Sequence, residues 1–291
     1  MALVLIGSFM LAEVIGGLVA NSLALLADAG HMVTDFAAIG LALLAMWVAA
    51  RPASARRTFG FHRVEVLAAL LNGLSLWLIA AWIFFEAYRR FLEPPEVRGL
   101  LVLTVGFAGL AVNVAAAWVL RRSAAHSLNV EGAFLHVIGD LLGSIGVVAS
   151  GILILAFGWY VADPILGVAI GLLILLTSTR MLWKVFHVLM EGTPATVDLQ
   201  TLCSRLEGVE GVAGVHDIHA WTITSGYDVL SAHVTVEPGV SAERVLPELV
   251  QVARGAGISH ATFQVEREAE ECEEAHHVSH DDAEEVGRGR R

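Results

Sequence analysis

The 291 residues are 56% hydrophobic and 16% charged, with a mean hydropathy of +0.68, against about 45–50% apolar and about 25% charged in an ordinary soluble domain. Two cysteines far apart, Cys203 and Cys272, exclude a disulfide scaffold. A formal charge of −11, with no Lys/Arg run longer than two, excludes an electrostatic binder of nucleic acid.

That charge is uneven. Residues 1–191 carry 11 basic and 11 acidic side chains, and residues 192–291 carry 7 and 18. The chain therefore reads as a neutral, apolar part followed by an acidic C-terminal hundred. A helix needs roughly 20 apolar residues to cross a bilayer, and six stretches qualify: about 2–20, 23–50, 64–88, 99–120, 130–157 and 164–187. Between them lie an Asn21-Ser22 turn, a basic loop from Arg51 to Arg57, a Glu93-Pro94-Pro95-Glu96 loop, a polar stretch from Arg121 to Asn129, and Asp163-Pro164, which opens the sixth span. The first stretch lacks a basic start and contains Glu13, unlike a cleavable signal peptide.

Arg51, Arg56, Arg57 and Arg63 fall on the same side as Arg121, Arg122, Arg180 and Lys184. Arg89, Arg90 and Arg98 on the other side are diluted by Glu93 and Glu96. The positive-inside rule then places both termini in the cytoplasm, which suits two free thiols.

Residues 192–267 read as a small α+β domain in the order αββαβ. Asp198 caps a helix over 199–207. Strands follow over 215–223 and 227–236 around a Ser225-Gly226 turn. Ser241 caps a helix over 242–254, and a third strand runs over 258–265. The remaining 268–291 form an acidic, His-containing tail expected to be disordered. The expected fold is thus membrane α-helical: six transmembrane helices over 1–191, then a cytoplasmic α+β domain over 192–267 with its helices on one face of a mixed sheet.

Ionisable residues inside spans are costly and mark function. His31 and Asp35 in the second span, and His136 and Asp140 in the fifth, repeat one pattern, His-x-x-x-Asp. Residues i and i+4 share a helix face, so each pair offers an imidazole and a carboxylate in one direction. On a soluble helix such a pair is usually a surface contact. Two copies embedded in apolar spans instead assemble a His₂Asp₂ set suited to tetrahedral Zn²⁺ at about 2.0–2.2 Å. The same donors admit Cd²⁺, Co²⁺ or Ni²⁺, whereas an all-carboxylate set would lean toward Mn²⁺. Glu13, Asp28, Glu65, Asn72 and Asn113 read mainly as hydrogen-bonding and packing groups. Gly16-Gly17, Gly143 and Gly146 read as close-packing positions.

Four stretches resemble the cation diffusion facilitator family, in particular its zinc-transporter branches: Ser22 to Asp35 (SLALLADAGHMVTD), Thr58 to Glu65 (TFGFHRVE), His136 to Asp140 (HVIGD) and Val215 to Trp221 (VHDIHAW). The resemblance covers the chain to about residue 267. It implies a homodimer of six-helix subunits with a ferredoxin-like cytoplasmic domain, and export of divalent metal from the cytoplasm in exchange for protons. It also implies that His31, Asp35, His136 and Asp140 carry the transport site. Some relatives bind a further metal in the loop between the second and third spans. Here that loop holds one histidine, His62, beside basic residues, and a loop or interface contact is preferred for it.

His216 and His219 differ by an odd number, so on a regular strand they point to opposite faces. The resemblance favours His233 and His260 as metal ligands near the dimer contact, with Zn²⁺ there in a structural or regulatory role. Cys272, His276, His277 and His280 offer weak capture of metal by the tail. No His-Glu-x-x-His, Gly-x-Ser-x-Gly or Walker motif is present, so neither an enzyme nor an ATP-driven pump is read. The partners expected are divalent cations, protons and lipid. The rival reading is a metal sensor or channel on the same scaffold.

Overall fold

The computed structural model describes residues 2–124 and 128–267, with side chains over 7–119 and 137–267. The acidic tail and its Cys/His set lie outside the described residues. Six long helices come first: α1 (Ala2–Ala20), α2 (Leu23–Ala49), α3 (Arg63–Leu92), α4 (Gly99–Ala124), α5 (Leu128–Phe157) and α6 (Ala162–Leu189). Five of them, α2 to α6, are long and apolar enough over the described residues to cross a membrane, and α1 adds the shorter apolar stretch Gly7–Ala20. Leu78, Phe85, Leu100, Trp118, Leu176 and Trp183 are all more than half exposed. An apolar surface of that extent marks contact with lipid or with another protein surface.

Two compact units emerge, one over 2–47 and 67–183, the other over 48–66 and 184–267. In the first, the interior is built largely of small and medium side chains, among them Ala20, Ala24, Ala27, Ala80, Val102 and Val147. Helices in lipid associate by close van der Waals approach rather than by a hydrophobic drive. The glycines show how close. A Cβ on Gly151 of α5 would land 3.0 Å from the Leu103 backbone nitrogen of α4, and one on Gly16 of α1 would land 2.9 Å from Val105 of α4. Asn113 on α4 donates to Ser144 Oγ on α5 at 3.0 Å, a hydrogen bond between helices. Gly16, Gly17, Gly143 and Gly146 all sit where a Cβ would crowd a neighbour, at 2.8–3.1 Å.

The second unit contains α7 (Leu199–Glu207), β1 (Val212–Thr224), β2 (Tyr227–Val236), α8 (Ala242–Gly255) and β3 (His260–Arg267). β1 and β2 pair antiparallel, and β3 runs parallel to β2, in the order β1-β2-β3. Leu202, Leu206, Leu230, Val234, Val245 and Leu249 join the two helices to the sheet in one core. Gly226 at φ 76° makes the two-residue hairpin turn possible. β3 starts two residues later than the sequence suggests. Gly257 at φ 86° turns the chain, Ile258 is spent in the core, and the Ser259 amide bonds the Asp228 carbonyl before pairing begins.

The loop before α3 belongs to this second unit. Glu65 accepts a hydrogen bond from the Thr224 hydroxyl at 2.6 Å, and Arg63 pairs with Glu191 at 2.7 Å. The Phe59 ring meets Tyr227 and His260 edge-on, and His62 meets Tyr227. His62 is thus an aromatic contact in this structure, as preferred from the sequence.

Asp198 caps α7, its Oδ1 accepting from the Gln200 and Thr201 amides at 3.1 and 3.4 Å, its Oδ2 from the Thr201 hydroxyl. Those hydrogen bonds lower its pKa below the usual carboxylate value. A carboxyl depressed in the folded state stabilises above its unfolded pKa, and the contribution is lost as pH falls through the folded value. Asp198→Ala should therefore lower the melting temperature of the second unit at pH 7, with the gap to wild type closing below about pH 4, as followed by thermal denaturation of the purified chain.

Candidate metal sites

Two clusters of metal-ligand side chains stand out. The first lies on α2 and α5. His31 and Asp35 sit one turn apart, with His31 Nε2 3.6 Å from Asp35 Oδ2. The same nitrogen lies 3.6 Å from Asp140 Oδ1 on α5. Donor atoms bound to one small cation at about 2.0–2.2 Å stand about 3.5 Å apart in a tetrahedron, so this spacing suits a shared ion. His31, Asp35 and Asp140 keep 22%, 31% and 21% of their side-chain surface exposed. His136 lies on α5 one turn before Asp140. Its side chain is not among those described. Thr34 turns its hydroxyl back onto the His31 carbonyl at 2.7 Å, which bonds the site's own backbone turn.

Two further carboxylates lie deep in the same unit. Glu13 is 1% and Asp28 6% exposed, and both are within electrostatic reach of Asp140. A Cβ at Gly143 would come within 3.0 Å of Asp28 Oδ1, and one at Gly109 within 3.0 Å of Glu13 Oε1. The helices close tightly on both groups.

The second cluster lies on the sheet. His216 of β1 stands opposite His233 of β2, and Glu266 of β3 follows two residues after Gln264, the register partner of His233. Ligand atoms of His216, His233 and Glu266 all lie within 4.8 Å of one another. His233 Nδ1 is 2.8 Å from Glu266 Oε1, and His216 Nε2 is 3.3 Å from Glu266 Oε2. Glu266 is 5% exposed, and its Oε2 has no aligned hydrogen-bond donor. A shielded carboxylate oxygen facing an imidazole nitrogen without a hydrogen bond is satisfied well by a cation. The mixed N/O set fits Zn²⁺. Asp217 closes one side, with Oδ1 2.9 Å from His219 Nε2 and Oδ2 3.6 Å from His233 Nε2.

This arrangement departs from the expectation in two ways. His260 does not join His233: it pairs with Val229, four register positions away, and packs on Phe59. At about 3.3 Å per residue the two strand positions are about 13 Å apart. Strict alternation between His216 and His219 also fails. A β-bulge falls between them, with Asp217 at φ 48°, so the odd spacing no longer sets opposite faces. Sequence reasoning set His216 aside on strand alternation and did not consider Asp217 or Glu266 as ligands. The signal available was strand parity: Glu266 alternates with the core-facing Ala261, Phe263 and Val265, which puts it on the sheet face that His233 shares through its register with Gln264. Cys203 is buried on α7, and burial, with the nearby Glu207, pushes its thiol up.

A family model for the cation efflux transmembrane domain matches residues 1–190, and one for the cation efflux cytoplasmic domain matches 194–268. The chain belongs to the cation diffusion facilitator family. This facilitator is 41% identical over 271 residues to a "cadmium, cobalt and zinc/H(+)-K(+) antiporter" of Bacillus subtilis, covering 91% of this chain and 87% of that protein. It is 42% identical over 281 residues to the metal cation efflux system protein CzcD of Cupriavidus metallidurans, covering 96% and 88%. It is 40% identical over 261 residues to the zinc transporter ZitB of Escherichia coli, covering 89% and 83%. Among solved structures it resembles the metal-bound C-terminal domain of the Cupriavidus CzcD transporter at 40% identity, with 24% of this chain and 99% of that one covered and a TM-score of 0.23.

If the sheet cluster holds metal, purified full-length protein should lose about one equivalent of bound Zn²⁺ per chain on Glu266→Ala or His233→Ala. His260→Ala should leave the stoichiometry unchanged. Equilibrium dialysis with metal analysis reads both.

Proposed function

We propose that this integral membrane protein exports Zn²⁺ from the cytoplasm in exchange for protons by alternating access. The observation that carries the reading is the His31 imidazole, held 3.6 Å from carboxylates on its own helix and on α5. His31, Asp35, His136 and Asp140 form the transport site. The reading takes both termini as cytoplasmic, two copies as a homodimer, and the division into a six-helix part over 1–191 and a cytoplasmic part over 192–267. The names of its bacterial relatives, which include zinc, cadmium and cobalt transporters and an antiporter, support a divalent cation as substrate.

The mechanism follows from ligand chemistry. An imidazole binds metal only when neutral, so proton and metal compete for it. With the site open to the cytoplasm, Zn²⁺ displaces protons from the two imidazoles and is neutralised by the two carboxylates. A rearrangement opens the site outward, where protons displace the metal. The Asp pair sets the charge and the His pair sets the preference for a borderline-soft ion. In the sheet cluster, His216, His233 and Glu266 hold a second metal in a structural or regulatory role. Cd²⁺, Co²⁺ and Ni²⁺ suit the same donors.

In proteoliposomes, Zn²⁺ should be concentrated into vesicles with an acidic lumen, and only weakly when both sides share one pH. Equal accumulation in the two cases would refute antiport. A channel would give passive, ungated flux, a sensor none, and an imposed K⁺ gradient separates H⁺ from K⁺ as counter-ion.

Asp140→Ala removes a ligand and a charge and should abolish transport of every metal. His31→Asp leaves a harder, more negative set, so Mn²⁺ uptake should rise relative to Zn²⁺. Metal competition assays on the two variants check both outcomes.

A further inference from the structure

The first turn of α2 is held by a polar network that none of the metal chemistry uses. Asp163, at the start of α6, is 0% exposed. Its carboxylate does not cap its own helix. Instead it accepts from the Leu23 amide at 2.5 Å, the Ala24 amide at 3.3 Å and the Ser22 hydroxyl at 2.5 Å. Ser22 Oγ in turn accepts from the Leu25 amide at 3.2 Å. Three of the amides that a helix N-terminus leaves without intrahelical partners are thus answered, two of them from another helix. Arg90 of α3, 6% exposed, completes the set. It reaches the Asn21 carbonyl at 2.6 Å, Asn21 Oδ1 at 3.1 Å and Asp163 Oδ2 at 3.4 Å, and is braced by Glu86 at 3.1 Å. Gly167 of α6 lets α2 come close, since a Cβ there would fall 2.9 Å from Leu23 Cγ.

A helix start needs one cap, and Ser22 supplies it. A buried Asp–Arg pair drawn from two other helices is costly to desolvate and is weak evidence of added stability. What it fixes is position. His31 lies eight residues beyond Leu23, about 12 Å along a stiff helix, so holding Leu23 sets the height of the His31 nitrogen against Asp140 on α5.

We propose that Asp163 and Arg90 are positioning residues for the transport site: they pin the first turn of α2 to α3 and α6 and so set the His31–Asp140 geometry. The inference rests on the transport reading above for its readout, and on the hydrogen bonds alone for its geometry. Neither residue touches the metal. Loosening the pin leaves all four ligands in the chain but lets their spacing drift. Such drift weakens ion binding, and it relaxes discrimination between Zn²⁺ and the larger Cd²⁺.

The test compares wild type, Asp163→Asn and Ser22→Ala as full chains. Uptake kinetics in proteoliposomes are normalised to folded protein, and Zn²⁺ binding is measured by calorimetry in detergent. Asp163→Asn should raise KM and Kd for Zn²⁺ about tenfold, as expected for a lost charge-assisted hydrogen bond acting on the site. It should change Vmax by no more than about twofold, and shift the Cd²⁺/Zn²⁺ uptake ratio by about threefold or more. Ser22→Ala removes one hydroxyl, is gentler on folding, and should shift Kd in the same direction by about threefold. If both folded variants keep wild-type Kd, KM and metal ratio, so that the losses lie only in the amount of folded protein, the network is purely structural and the inference falls. If wild type binds Zn²⁺ but moves none, the transport reading fails, while the binding arm still decides the role of Asp163.

Discussion

An imidazole or a carboxylate inside hydrocarbon has to be answered by another group on the protein, because no water can do it cheaply. That constraint organises the membrane unit. His31 is set against Asp35 and Asp140. Asn113 meets Ser144 across α4 and α5. Asp163 and Arg90 neutralise each other while answering the open start of α2. The helices carrying these groups are mostly smooth, small-residue surfaces, and glycines let them close on their neighbours to near backbone contact. Close packing and polar pairing are therefore linked: the groups meet because the helices can approach, and the approach is tolerable because the groups meet.

The same logic takes a different form on the sheet. There water is near, and geometry comes from strand register. His216 and His233 are brought opposite each other by antiparallel pairing, and Glu266 arrives from a parallel strand. One imidazole from each of two strands and one carboxylate from a third make a site whose spacing depends on the sheet rather than on any loop. A rigid element holds ligands more closely to a productive geometry than a loop does.

The sequence carried the broad outline well, for physical reasons. Six apolar runs with polar breaks mark the helices, since hydropathy over about 20 residues is set by the bilayer itself. The hairpin over Ser225-Gly226 and the Asp198 cap are local chemistry and can be read locally. The His-x-x-x-Asp pairs are legible because a 3.6-residue period makes i and i+4 neighbours whatever surrounds them. What escaped was non-local or irregular. The bulge at Asp217 breaks the period of two on which the reading of His216 and His219 relied. The parallel register that brings Glu266, rather than His260, to His233 depends on where α8 returns the chain. Asp163 followed by Pro164 looks like a helix start capping itself, and only the assembled bundle reveals that it serves α2.

The stretch over 48–66 keeps company with the C-terminal sheet rather than with the membrane bundle, and this bears on how the protein is dissected in the laboratory. A fragment begun at residue 192 leaves behind Phe59, which lies against Tyr227 and His260, along with His62 and the Glu65 acceptor of Thr224. Such a fragment carries an uncovered aromatic face and an unanswered hydroxyl at one end of its sheet. Its self-association would then report the cut rather than a property of the full chain. Grafting residues 48–66 back through a short linker restores the cover and gives a cleaner module for biophysics.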